Sequence, residues 1–162
     1  MYIILSVVTG IYLILSAIQD LRERMIYSSP AVMLAFAWGV HSIELYEDEM
    51  TFLMCEWIAA AILWLLFKKF HIWGEGDNDV FLLFAGVLFC TLRFRTAPFL
   101  IFTASNLLAL SQIGAVIIGL IEGRIKKEKV NCHSSIAVVP GLCVVLLGVM
   151  CYGVCIRLGV IV

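Results

Sequence analysis

The chain has 162 residues, 63% of them hydrophobic and 14% charged, with a formal net charge of −1 and a mean hydropathy of +1.06. Too few polar side chains are present to coat a soluble globule of this size. The near-neutral balance says little about partners and gives no sign of nucleic-acid binding. The composition predicts an all-α integral membrane protein, with residues 1–162 forming one domain.

A helix crossing the roughly 30 Å hydrocarbon core needs about 20 mainly apolar residues. Six runs qualify, giving a bundle of about six transmembrane helices: Tyr2 to Ala17, Pro30 to Ile43, Phe52 to Phe67, Val80 to Leu92, Pro98 to Ile121 and Ser135 to Leu158. The second and fourth are short and must borrow flanking polar residues or thin the bilayer. A barrel is excluded because the apolar runs are continuous and do not alternate with a period of two. The first run has no basic region ahead of it and no small-residue cleavage pattern before Asp20, so it is expected to be a retained span. No linker, low-complexity tract or internal repeat divides the chain.

Basic residues set the orientation. Arg22, Arg24, Lys68, Lys69, Arg124, Lys126, Lys127 and Lys129 follow the first, third and fifth runs. Arg93, Arg95, Arg157 and the acidic stretch "ELYEDE", Glu44 to Glu49, fall on the other side. The first set is expected to face the cytoplasm, with both termini outside. The stretch "KKFHIWGEGDNDVFLLF", Lys68 to Phe84, then places Glu75, Asp77 and Asp79 at the cytoplasmic end of the fourth run.

Carboxylates at a membrane edge are costly and point to function. Asp20, in "LSAIQDLRERMIYSSP", ends the first run on the same side, so Asp20 and Asp77 are expected at one depth. Two carboxylates brought within a few ångströms cannot both ionise easily, and the pair then offers one general base and one general acid. Such a pair activates water against an amide carbonyl and stabilises the tetrahedral intermediate. Gly74 and Gly76 are expected to supply backbone angles forbidden to other residues, letting an extended substrate approach Asp77. The alternative is that Asp20, Asp77 and Asp79 are loop-edge residues solvated by headgroup water, with the glycines making a turn.

"GEGD", Gly74 to Asp77, resembles the GxGD motif of the type IV prepilin peptidases and archaeal preflagellin peptidases, which are polytopic aspartic proteases. "DLRERMIYS", Asp20 to Ser28, is similar to that family's first aspartate motif, and "IAVVPGLCVVLLG", Ile136 to Gly148, to its proline-containing last span. Asp77 follows Asp20 by 57 positions, and the likeness covers nearly the whole chain in order. It implies a six-helix peptidase of the plasma membrane that uses Asp20 and Asp77, without metal or organic cofactor, to cut the leader from prepilin-like precursors at the cytoplasmic face. Beside membrane lipid, the expected partner is that precursor. Gly74, Gly76, Glu75 and Asp79 are expected to support or bind substrate, with Glu23, Glu75 and Asp79 favouring a basic leader through local potential.

Two departures stand out. Asp79 occupies a position where the family usually has Lys, which is expected to make ionising Asp77 harder, and Tyr27 stands where it usually has Pro. An inactive relative that binds the precursor without cutting it, and a small carrier or scaffold with membrane-edge carboxylates, remain the alternatives. The chain lacks the paired CxxC extension of larger bacterial members, so methylation of the new N-terminus is not expected.

Other features are expected to be structural. The six cysteines, Cys55, Cys90, Cys132, Cys143, Cys151 and Cys155, form no CxxC pair and read as small core residues. His71 beside Trp73 reads as an interfacial anchor, and Glu56 as reaching the outer interface, with an internal polar partner as its alternative. Ser105, Asn106, Ser111 and Gln112 read as interhelical hydrogen-bond glue. "HSS", His133 to Ser135, lacks a nucleophile elbow and no HExxH occurs, so serine and zinc protease chemistry have no support. The run "GRIKKEKVN" reads as a basic loop touching anionic lipid.

Overall fold

A computed structural model describes residues 1–23, 25–71, 74–92, 96–126 and 138–160, without the side chains of Glu75, Ile125 and Lys126. The described residues are all-α. Six helices follow in order: α1 (Tyr2–Glu23), α2 (Ser28–Leu45), α3 (Met50–Phe70), α4 (Glu75–Leu92), α5 (Ala97–Lys126) and α6 (Val139–Arg157), with a 3-10 turn over Glu47–Glu49. Where no water can reach the backbone, an α-helix satisfies its own amides, which is why these apolar runs adopt it. Four helical stretches are long and apolar enough to cross a membrane: Tyr2–Glu23, Glu47–Phe70, Ala97–Arg124 and Val139–Arg157. The helices α2 and α4, of 18 residues each, are not among them.

Helix α4 is the centre of the bundle. From Asn78 to Thr91 every residue is buried except the half-buried Leu82, and α4 packs against α2, α6 and α3. Helix α1 lies against α6 and α2, while α5 lies against α6. Because its neighbours enclose it, α4 does not need a fully apolar surface of spanning length.

Pairwise contacts give the directions. Along α2 and α4, Ile26 meets Gly76, Ala35 and Trp38 meet Gly86, and the Cys90 thiol donates to the Trp38 carbonyl at 3.3 Å, so these two helices run parallel. Along α1 and α6, Asp20 meets Val139, Gly10 packs on Leu147 and the Tyr2 hydroxyl lies over Gly153, so these run antiparallel. Helix α3 runs antiparallel to α4, with Trp57 edge-on to Phe89 and Phe67 edge-on to Phe81.

One end of the bundle is tied by polar contacts. The Tyr2 hydroxyl shares a 2.8 Å hydrogen bond with Thr91, and the Arg157 guanidinium lies 3.5 Å over the Tyr2 ring while donating to the Cys90 carbonyl at 2.9 Å. Nearby, the Trp38 indole donates to Thr9 at 2.9 Å and the Tyr46 hydroxyl to the Phe89 carbonyl at 3.2 Å. These bonds join α1, α2, α4 and α6 where hydrophobic attraction between helices is weakest as a guide, because lipid is as apolar as the side chains.

Several expectations need correction. Two of the α5 residues expected as interhelical glue bond within their own helix: Asn106 donates to the Phe102 carbonyl and Ser111 to the Leu108 carbonyl. Of the cysteines, Cys90 and Cys143 are buried, but Cys55 and Cys151 face outward. The expectation of an anchor at His71 needs no such correction: the residue is exposed and ends α3 in the left-handed conformation, φ +48°, with its amide on the Lys68 carbonyl. Trp73, Cys132, His133, Ser135, Arg24, Arg93, Arg95, Lys127 and Lys129 lie outside the described residues.

The α5–α6 crossing depends on glycine. A Cβ on Gly141 would collide with the Ser111 carbonyl and sit 2.6 Å from the Ala115 nitrogen, whereas one on Gly148 would meet nothing within 4 Å. Gly141→Ala is therefore expected to cost about 1–3 kcal/mol through overpacking. Gly148→Ala should leave the thermal unfolding midpoint in detergent unchanged or slightly raised, and equal midpoints for the two variants would contradict this packing.

Candidate active site

The GEGD stretch is the first turn of α4, not a loop ahead of it. Gly74 is the residue before the helix, its carbonyl accepts from the Asn78 amide at 3.1 Å, and Asp77 is the third helical residue. The Asp77 carboxylate accepts a hydrogen bond from the Gly74 backbone. That is the side-chain half of a capping box, in which the third residue reaches back to the amide before the helix. The sequence alone signalled this role, since an acid three positions after a glycine at the head of an apolar run is a helix-start pattern.

The glycines act through their missing side chains. Gly76 lies inside α4 with helical backbone, so no left-handed angle is needed there. A Cβ on Gly76 would lie 3.0 Å from the Ile26 Cβ and 3.2 Å from its carbonyl oxygen. A Cβ on Gly74 would lie 3.2 Å from the Asp77 Oδ2. Gly76 thus admits the connection between α1 and α2 against the head of α4, and this close approach brings the Asp20 and Asp77 segments together. For Gly76 the expectation of forbidden backbone angles is corrected to one of clearance.

Asp20 is in the last turns of α1 and is 5% exposed. Its Oδ2 accepts from the Val139 amide, the first of α6, at 3.2 Å. Val138, just before α6, offers no side-chain cap, and Pro140 has no amide to satisfy. A carboxylate from the far end of the sequence therefore fills the capping position. Asp77 precedes Val80, the first apolar residue of α4. Burial, then the charge of Asp20, push its carboxyl up to about 6, against the opposing Gly74 hydrogen bond. The charge of Asp20 thus bears on Asp77, so the two expected residues lie at the same end of the bundle. Each also sits at a helix N-terminus, where the backbone dipole favours negative charge.

Asp79 turns elsewhere. It is 4% exposed, accepts from the Trp64 indole at 2.8 Å and pairs with Lys68 at 3.2 Å. Lys68 also lies 4.5 Å from the Trp64 ring. The anion expected to hinder Asp77 is thus balanced by a cation from α3, and its charge is not among the causes of the Asp77 shift. A buried, paired carboxylate adds little to a potential meant for a basic leader. The Glu75 side chain lies outside the described residues, and Glu23 is exposed and bonded to Gln19 at 3.2 Å. At the neighbouring departure, the Tyr27 carbonyl accepts from the Tyr12 hydroxyl at 3.0 Å, which anchors the start of α2 to α1.

Sequence reasoning missed Lys68 and Trp64 as partners of Asp79 and the Val139 amide as the partner of Asp20. The first pair carried a weak signal, a basic residue and an indole four apart at the end of one run. The second carried none. No family model, curated protein or solved structure matches the chain.

The raised Asp77 carboxyl has a consequence for stability. Its folded value of about 6 exceeds the 3.8 of a free carboxyl, so the folded chain holds the proton more tightly than the unfolded one. This stabilising contribution is complete below about pH 3.8 and is lost as pH rises through about 6. Relative to Asp77→Asn, the wild-type unfolding midpoint in detergent should therefore fall between pH 4 and pH 6 and then level off. Asp20→Asn removes one cause of the shift and should move the fall to lower pH, and a pH-independent difference would refute the placement of Asp77.

Proposed function

We propose that this chain is an intramembrane aspartic endopeptidase that removes the cytoplasmic leader from prepilin-like precursors, whether type IV pilin, pseudopilin or preflagellin. The reading rests on the meeting of Asp20 and Asp77 at one end of the bundle, where the charge of one carboxylate bears on the other. The resemblance of Gly74 to Asp77 to the GxGD motif supports it from the sequence side.

In this reading all six helices cross the plasma membrane, α2 and α4 among them, and the Lys- and Arg-rich connections place the carboxylates at the cytoplasmic face. One proton is shared by the pair and belongs to neither residue alone. The ionised member takes a proton from water as it attacks the scissile carbonyl; the protonated member donates a hydrogen bond to the carbonyl oxygen, and the proton then passes to the leaving amine. The amides of Gly74 and Val139 hold the two carboxylates in place without supplying protons. The dipoles of α4 and α6 favour the single negative charge that the pair must keep. Glycine at position 76 keeps the pair assembled.

The test is cleavage in membranes, with this chain co-expressed with a panel of leader-bearing pilin- and flagellin-like precursors. Asp20→Asn and Asp77→Asn should each lower the rate by about 10²–10⁴-fold. The wild-type rate should decline as pH rises through about 6, where the pair loses its shared proton. Cleavage that survives either substitution would sink the mechanism.

A further inference from the structure

Helices α3 and α5 flank α4 without closing over it, and the groove between them has a volume of about 730 Å³. Its walls are almost wholly apolar, and it extends along α3 from Phe52 to Phe67, about 22 Å at 1.5 Å per residue. Spread over that length, the volume is a cross-section of about 33 Å², less than half that of a cylinder about 10 Å across. A helix would seat one face in it and leave the other to lipid. Small residues along the groove, Ala60, Ala85 and Ala104, allow such a helix to approach closely.

One side chain does not belong in an oily groove. Glu56 lines it, is 7% exposed, and neither carboxylate oxygen has a hydrogen-bond partner among the described residues. This corrects the expectation that Glu56 reaches the outer interface. The charge bearing on it is that of Glu49, of the same sign. A buried carboxyl without a partner costs free energy unless something supplies a donor. Glu56 is the seventh residue of α3, about 9 Å along the helix. A lipid headgroup would have to sink that far to reach it, and an acyl chain fits the groove but offers Glu56 nothing. A helix can carry a donor at any depth.

At its other end the groove reaches Phe81, one helical turn from Asp77 on the same face of α4. We propose that the groove seats the apolar transmembrane helix of the precursor, and that Glu56 receives a cationic or hydrogen-bond-donating side chain carried by that helix. The identity of the helix as substrate rests on the peptidase reading; the groove and its need for a donor do not. A precursor held this way has its apolar segment aligned along α4 and its leader end directed at the carboxylate pair.

The experiment places a benzoyl-phenylalanine photocrosslinker at Leu63 in the groove, or at the lipid-facing Ile14 on α1 as control, in full-length Asp20→Asn protein in liposomes. The probes are two 21-residue Leu/Ala helices, one with a single Lys about 9 Å from its outer end and one without. Capture of the Lys helix at Leu63 should exceed that of the all-apolar helix about fivefold. Glu56→Gln should abolish this preference, and Ala59→Trp, a bulky change on the exposed wall of the groove, should abolish capture. Retained size-exclusion elution shows that the variants fold. Equal capture of the two probes, equal capture at Ile14, or crosslinks to lipid alone would overturn the proposal. Capture does not depend on cleavage: helix capture by a chain that cuts no precursor overturns the peptidase reading and leaves the groove, while cleavage without capture overturns the groove alone.

Discussion

A carboxylate drawn out of water needs compensation, and here it comes from helix N-termini. Asp77 reaches back to the amide before its own helix, and Asp20 fills the first amide of α6 from the opposite end of the sequence. Each acid therefore caps a helix that would otherwise begin with an unsatisfied amide. One bond is internal to the head of α4 and the other ties α1 to α6. What brings the two acids near each other is the close approach of Gly76 to Ile26, which seats the α1–α2 connection against the head of α4.

The same economy governs the surrounding charges. Asp79 is two residues from Asp77 and more deeply buried, and it faces α3, where Lys68 neutralises it and the Trp64 indole donates to it. One face of the first turn of α4 holds an acid balanced by a cation, and another holds an acid balanced against a second acid. That difference separates a structural ion pair from a carboxyl that holds its proton more tightly than a free one.

Clearance is the second theme. Gly76 against Ile26, Gly141 against Ser111, and Gly153 under the Tyr2 ring each mark a place where a neighbouring chain lies where a side chain would be. In lipid, helices gain little from burying apolar surface on one another, so backbone approach and scattered polar bonds decide which helices meet. Glu56 stands apart from this pattern: it is buried, acidic and unpartnered among the described residues, in the groove between α3 and α5.

By itself the sequence determined the class of the protein and where its helices run. Unbroken apolar runs with short polar breaks leave the chain no choice but helices, and all six expected runs are helical to within several residues in the described segments. It also marked Asp20 and Asp77 as acids at matching ends of odd- and even-numbered runs, which antiparallel succession brings to one side. What it did not carry is which way each helix faces. Most of these helices are apolar all round and their pattern holds no inward stripe to read; α1 is the exception, turning Ser6, Thr9, Ser16 and Asp20 inward at helical spacing. Only the tertiary structure decided that Asp79 turns to Lys68, that Glu56 points into a groove, and that the amide awaiting Asp20 lies 119 positions away at Val139. Those outcomes follow from three-dimensional clearance and from pairing of polar groups across helices, and neither leaves a local trace in the order of residues.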